Sequence, residues 1–479
     1  MENLKQKTYK AFAWNFSSRI INLLLSFIIS IFLARILEPS DFGTFAIVGV
    51  IINFSHIFMD MGLGVSLIEK NFLSKYHYGS VFWFNVVVSI LLSFLLYSSS
   101  VFVAKFYDNS ELIQYIKVLS LLFIINSFSP VISARLQKDL NMKLPMLASL
   151  VSSAIGGSIG IGMAINGYGI WSLVIQSLIT AIINNLIIIV FNPYPYFFYF
   201  KWKALMELWN FGFRMFFSGV IDSVFGNVDT LVIGKLFSLN TVGLYNRAKN
   251  LDNLIIKNIS SSLMSVVMPA LSSIKTDKQR YEKVINIAIQ TVSFLSFGLS
   301  GILFLIGHNL IIIIYGYQWG YAGELFSLLM VSGFSYPISA VLVNILSSQG
   351  NSKAFLTLEI YKKIVYSLNF AFGFIWGIKG FVFGIVIVYI ISVFLNIFMA
   401  SKQMNLSIKW FNKRIWIYGL VSFISVIFTL IINYKINNIV LHFFISGSVF
   451  TILYIALSRL LKLEAIFILI KEIKLILNK

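Results

Sequence analysis

The sequence predicts an all-α integral membrane protein, and three observations carry that prediction. Of 479 residues, 58% are hydrophobic and only 11% are charged, against about 25% charged in a soluble domain. Apolar runs of roughly 18–25 residues recur along the chain. As helix, at about 1.5 Å per residue, each is long enough for a roughly 30 Å hydrocarbon core. Alternating segments of about ten residues, the mark of a membrane barrel, are absent.

Fourteen spans are expected, at 11–34, 42–66, 80–104, 112–134, 145–165, 170–191, 210–234, 242–270, 285–306, 322–346, 355–376, 380–400, 415–433 and 439–458. The first follows "MENLKQKTYK". No small-residue cleavage site ends its apolar run, so it reads as a retained helix. Loops between spans are short, and none is long enough for a soluble catalytic domain.

The net charge is +19. A basic chain can bind nucleic acid, but basic residues also orient membrane proteins by remaining in the cytoplasm. With a cytoplasmic N-terminus, the inner segments hold 24 of the 37 Lys and Arg residues and the outer loops hold 5. That asymmetry fits an even number of spans with both termini cytoplasmic, and it accounts for most of the basicity without nucleic acid. There is no cysteine, which excludes disulfides, thiolate metal sites and cysteine nucleophiles.

Two segments read as anchors at the inner membrane surface. The aromatics and lysines of "NPYPYFFYFKWK", within 192–209, suit the headgroup level. The end "FILIKEIKLILNK" reads as a basic amphipathic helix lying on the same surface.

The chain also repeats itself. At an offset of 200, Arg35 meets Lys235, Leu37 meets Phe237, Gly43 meets Gly243 and Phe45 meets Tyr245. Later matches follow in order, with Pro130 opposite Pro337 and Gly169 opposite Gly380. The expected organisation is an N-terminal six-helix lobe (1–200), a C-terminal six-helix lobe (201–405), two additional transmembrane helices (406–462) and the amphipathic tail (463–479). Six spans per half give both copies the same orientation, related by an axis along the membrane normal. Two lobes about a central cavity are transporter architecture.

"RIINLLLSFIISIFLARILEPSDFGTFAIV" (19–48) resembles the first helix pair of Wzx-type polysaccharide flippases, members of the multidrug/oligosaccharidyl-lipid/polysaccharide (MOP) exporter superfamily. "NVDTLVIGKLFSLNTVGLYNRAKNL" (227–251) resembles the corresponding pair of their second half. The resemblance implies a V-shaped, two-lobed transporter in the bacterial cytoplasmic membrane. It implies a lipid-linked oligosaccharide partner, carried on undecaprenyl pyrophosphate from the inner to the outer leaflet. A drug/cation antiporter of the same superfamily is the alternative. That class favours twelve spans and acidic cavity residues. An enzyme would need a polar loop or an acid/base cluster, and neither is seen, so no cofactor is expected.

Ionisable residues inside spans cost at least ~2.5–3.5 kcal/mol each, so they usually face a cavity or a partner. Asp222 and Asp229 are seven apart, two turns on one face. An antiparallel eighth span would set Lys257 level with Asp222, and Arg247 or Lys249 level with Asp229. Either these charges pair to hold one lobe together, or they line a polar lumen. Arg19, Arg214, Lys362 and Lys363 stand two or three turns in from the expected cytoplasmic end. Converging, they would bind a pyrophosphate; otherwise they snorkel to the headgroups. Lys362 and Lys363 are adjacent and point about 100° apart. Asp60 and Glu359 could take up protons in a coupled cycle, or neutralise Arg19 and Lys362. Protons and sodium are the candidate coupling ions.

His56, His77, His308 and His442 show no ligand spacing, so no metal site is implied. "GGSIGIG" (156–162) in mid-span suits close helix packing better than phosphate binding. Pro130, Pro269 and Pro337 are expected late in their spans, as bends.

Overall fold

A computed structural model describes residues 4–192, 199–257, 260, 277–348, 352–433, 436 and 438–477. The protein is all-α, and among the described residues no strand forms. The chain packs as two compact units, Met1–Gly243 and Leu244–Lys479.

The first unit holds helices α1 (Leu4–Ile36), α2 (Pro39–Asp60), α3 (Leu63–Glu69), α4 (Lys75–Phe106), α5 (Leu112–Leu119), α6 (Leu121–Asn126), α7 (Pro130–Lys138), α8 (Lys143–Ile165), α9 (Trp171–Phe191) and α10 (Trp202–Leu236). Helix α11 (Leu239–Asp252) crosses into the second unit and continues as a π turn, Asn253–Lys257. There follow α12 (Lys278–Tyr315), α13 (Gly320–Met330), α14 (Ser335–Ser348), α15 (Ser352–Met404), α16 (Ile408–Asn433), α17 (Ile439–Leu460) and α18 (Glu464–Leu477).

Ten helical segments are long and apolar enough to cross a membrane, or eleven with the bent segment 112–138 taken as one. By length and composition alone the expected count of fourteen is not reached, and three places account for the difference. Spans 355–376 and 380–400 are two helices that follow one another within α15 across a kink at Gly377 (φ 70°, ψ −162°), and they count once by length. Span 42–66 is helical as α2 up to Asp60 and breaks where Met61 and Gly62 both turn left-handed; Pro39–Phe54 is its apolar stretch among the described residues. Span 242–270 runs largely outside the described residues. Pro130 stands late in its span, directly after the 41° bend between 112–126 and 130–138, as the first residue of α7, where its missing N–H costs nothing; Pro337 is the third residue of α14. Pro269 lies outside the described residues.

Helix starts follow their capping residues. Asp277 accepts from Arg280 N (3.1 Å) to begin α12. Asn438 accepts from Val440 N (3.0 Å) and Leu441 N (3.1 Å) to begin α17. Phe94, Phe102 and Phe374 are largely exposed, as lipid-facing side chains are. Interiors are held by small residues and polar pairs. A Cβ on Gly156 would stand 2.0 Å from Thr180 Oγ1 of α9, and one on Gly157 would stand 2.2 Å from Ile29 of α1. Asn185 Nδ2 donates to Asn126 Oδ1 (3.2 Å), and Asn433 Nδ2 to Ser446 Oγ (2.7 Å).

Candidate functional site: charges within the helical bundle

Helix α10 begins the second sequence repeat, yet it packs within the first unit, on α2, α3 and α4. Glycines make that approach possible. Near its first turns, a Cβ on Gly62 would stand 2.3 Å from Gly212 O. Ser66 Oγ donates to Leu208 O (3.3 Å). One oxygen of Glu207 accepts from both Lys70 Nζ (2.5 Å) and His77 Nε2 (3.1 Å). Near its other end, Gly234 lies against Ile47 and Tyr107. Tyr107 Oη donates to Leu231 O (3.3 Å), and Lys235 pairs with Asp108 (3.1 Å). Beyond it, a Cβ on Gly43 would stand 1.8 Å from Leu239 O, and a Cβ on Gly243 would stand 1.8 Å from Pro39 O.

Of the expected cavity cations, Arg19 on α1 and Arg214 on α10 both belong to the first unit and both are exposed. Asp60 is engaged locally: its two oxygens accept from Gly64 N at 3.1 and 3.3 Å, at the start of α3. Asp229 is only 1% exposed, and its Oδ1 accepts from Thr230 N (2.9 Å). The Asp222 side chain lies outside the described residues, and with it the expected Asp222–Lys257 pair.

In the second unit, Arg247 is 7% exposed. Its guanidinium lies over two rings, 4.7 Å from the Tyr315 centroid and 4.9 Å from that of Trp319. Such cation–π contacts strengthen when desolvated. Lys362 and Glu359, one turn apart on α15, form an ion pair. Lys363 is half-buried beside it, and Lys257 is exposed at the end of the π turn.

Sequence reasoning missed two groups. Asp252 lies in the fields of Lys257 and Lys249. A π turn closes i→i+5, which sets residue 257 over residue 252; the five-residue spacing in "DNLIIK" was the available signal. The other is the Lys70–His77–Glu207 cluster, built from residues about 130 positions apart, for which no local pattern exists. Among the described residues, no three His, Asp or Glu side chains gather to hold a metal ion.

This multi-pass helical bundle, with charges set inside apolar helices, has the architecture of a membrane transporter. The chain belongs to the polysaccharide biosynthesis protein family, whose model matches residues 32–324. It is 24% identical over 319 residues to the succinoglycan biosynthesis transport protein ExoT of Rhizobium meliloti (strain 1021), a match that covers 67% of this chain. That match spans 65% of the length of ExoT, just under two thirds. It is 20% identical to the lipopolysaccharide biosynthesis protein WzxC of Escherichia coli (strain K12), covering 91% of this chain and 88% of WzxC. Its fold is similar to that of the lipid II flippase MurJ in an inward closed conformation, with a TM-score of 0.74 at 17% identity, covering 95% of this chain and 99% of MurJ.

Proposed function

We propose that this protein is a Wzx-type flippase. It moves undecaprenyl-pyrophosphate-linked oligosaccharide repeat units from the inner to the outer leaflet of the bacterial cytoplasmic membrane, for surface polysaccharide assembly. The observation that carries the reading is the family match over residues 32–324. The similarity to ExoT and WzxC, relatives named for polysaccharide transport and lipopolysaccharide biosynthesis, supports it.

The physical task divides in two. The isoprenoid can stay in lipid throughout, because hydrocarbon costs it nothing. The pyrophosphate and sugars cannot cross unaided, because buried charge and unmatched hydroxyls are expensive. A polar path with cations at the diphosphate's depth lowers that barrier. Arg19 and Arg214 are the first candidates, since a guanidinium fork matches phosphate oxygens in pairs. Lys257, Lys362 and Lys363 are the secondary ones, with Lys362 already partnered by Glu359. Asp60, Asp222, Asp229 and Glu359 are the carboxylates available for proton or sodium coupling. We place both termini in the cytoplasm, on the basic-residue asymmetry, and assign the chain no chemical step on its substrate.

The test is reconstitution. Proteoliposomes holding the full chain and a fluorescent undecaprenyl-pyrophosphate oligosaccharide are treated outside with a reductant that cannot enter. Full-chain vesicles should expose nearly all the label, and protein-free vesicles only the outer half. Equal protection in both would overturn the reading.

A further inference from the structure

We propose that Lys70 and His77 form a phosphate-binding site for the diphosphate of the arriving lipid, and that Glu207 occupies this site as an internal carboxylate stand-in until the substrate displaces it. The inference rests on the flippase reading above.

The geometry is that of an anion site already filled. A single oxygen, Glu207 Oε2, takes Lys70 Nζ at 2.5 Å and His77 Nε2 at 3.1 Å. The hydrogen-bond pattern assigns the imidazole proton. Nδ1 accepts from Ser74 N (3.1 Å), so Nε2 carries the hydrogen and points it at the anion. The two donors are fixed from behind. His77 is 8% exposed and sits in the first turn of α4, held by Ser74 as that helix's cap. Lys70 follows α3, and its carbonyl is gripped by Lys138 Nζ, which also bonds Leu67 O (3.1 Å).

The carboxylate is not fixed in the same way. The Glu207 side chain is 44% exposed, and it comes from a different helix, α10. The donors stand at the end of α3 and the start of α4, the anion on α10. The surroundings are cationic. The N-terminus of α4 presents the positive end of a 32-residue helix. Lys75 stands 4.1 Å from the Tyr199 ring centroid and Lys201 4.3 Å from that of Tyr76. A diphosphate brings more charge and more acceptor oxygens than one carboxylate, so it outcompetes Glu207 for the same donors. Displacement removes the Glu207 ion pair that ties the first turns of α10 to Lys70 and His77, and leaves the Ser66–Leu208 bond and the Gly62–Gly212 contact in place.

The test uses the purified full chain in nanodiscs and undecaprenyl pyrophosphate as the probe. Glu207→Gln keeps the shape and removes the competing charge. If the site is self-occupied most of the time, that variant should bind the probe about tenfold more tightly than wild type, since apparent affinity scales with the fraction of free sites. Lys70→Met and His77→Gln should each weaken binding several-fold, and inorganic pyrophosphate should compete. Unchanged binding in Glu207→Gln, with wild type binding the probe, overturns the inference and leaves the flippase reading standing. No binding by any form, wild type included, overturns both. Equal gains for phosphatidylglycerol nanodiscs without the probe would make the cluster a phospholipid-headgroup site and overturn the substrate assignment. Elution at the native volume in size exclusion guards against a folding defect.

Discussion

Gly43 and Gly243 occupy equivalent places in the two sequence repeats, and in the fold they meet each other. A Cβ on either would stand 1.8 Å from a carbonyl oxygen of the opposing segment, Leu239 O for Gly43 and Pro39 O for Gly243. Those two carbonyls are themselves repeat-equivalent. The contact is reciprocal, as an isologous contact between identical subunits would be. Only residues without a side chain allow two helix starts to cross at that distance.

Alanine at either glycine should therefore be equally damaging. The obstructing atoms are backbone and cannot rotate away, so the cost should reach or exceed the ~1–3 kcal/mol usual for overpacking. Unfolding midpoints in detergent check this. Gly49→Ala is the control, because nothing lies within 4 Å of its missing Cβ, and it should be neutral. A tolerated Gly43→Ala beside a damaging Gly243→Ala would contradict the reciprocal contact.

Arg19→Ala and Arg214→Ala should each abolish polysaccharide export while leaving protein levels near wild type. Lysine should restore export only in part, since an ammonium lacks the paired donors of guanidinium. Surface polysaccharide measured alongside membrane abundance separates loss of function from loss of protein. Normal export in both alanine variants would remove these residues from the substrate path.

The basic-residue asymmetry fixes an expected topology, and a chain without cysteine is a clean background for testing it. Cysteine at Lys105 should react with an impermeant reagent in intact cells. Cysteines at Lys5, Lys278 and Lys474 should be protected until the membrane is opened. Outside labelling at position 5 or 474 would invert or break the topology.

Tyr107 gives a pH signature. Burial pushes its hydroxyl up from 10.0 to about 12. The folded protein thus holds this proton more tightly than the unfolded chain. The stability this adds is whole below pH about 10 and is lost as pH rises through about 12. Tyr107→Phe lacks both this dependence and the hydrogen bond to Leu231 O. At pH about 8 it should be less stable than wild type by about 1 kcal/mol. Near pH about 11.5 the gap should shrink. A gap that stays constant with pH would contradict the buried-hydroxyl account.

Helix content was legible because it is local, and so was the packing role of the glycines in 156–162; Gly43 and Gly243 were legible as repeat equivalents, not as a contact between residues 200 apart. Apolar runs set the lengths of α8 and α9 closely, while α4 and α12 extend beyond the expected 80–104 and 285–306; the offset of 200 marked Gly43 and Gly243 before their contact was known. Breaks were legible in part. The expected spans stop at 376 and resume at 380, which places a break at Gly377, but hydropathy does not register its left-handed φ. Met61, a non-glycine residue in left-handed backbone (φ 43°), ends α2 without a turn signature. Charge partners were the least legible. Asp60 could be read as facing Arg19, yet its oxygens are taken by Gly64 N, four residues on. Glu207 gave no signal at all, because its partners Lys70 and His77 come from helices far away in sequence. Asp252 is placed by a π turn, and helical periodicity assumes 3.6 residues per turn.

The most direct test of the account is the lipid-linked intermediate in cells lacking this protein. Undecaprenyl-pyrophosphate-linked repeat units should accumulate, and they should be shielded from a glycosidase confined to the outer face of the membrane. Restoring the wild-type gene should clear them. If such cells hold no excess of the intermediate, or if the excess is open to the outside enzyme, the substrate crosses by another route and flipping is not this protein's task.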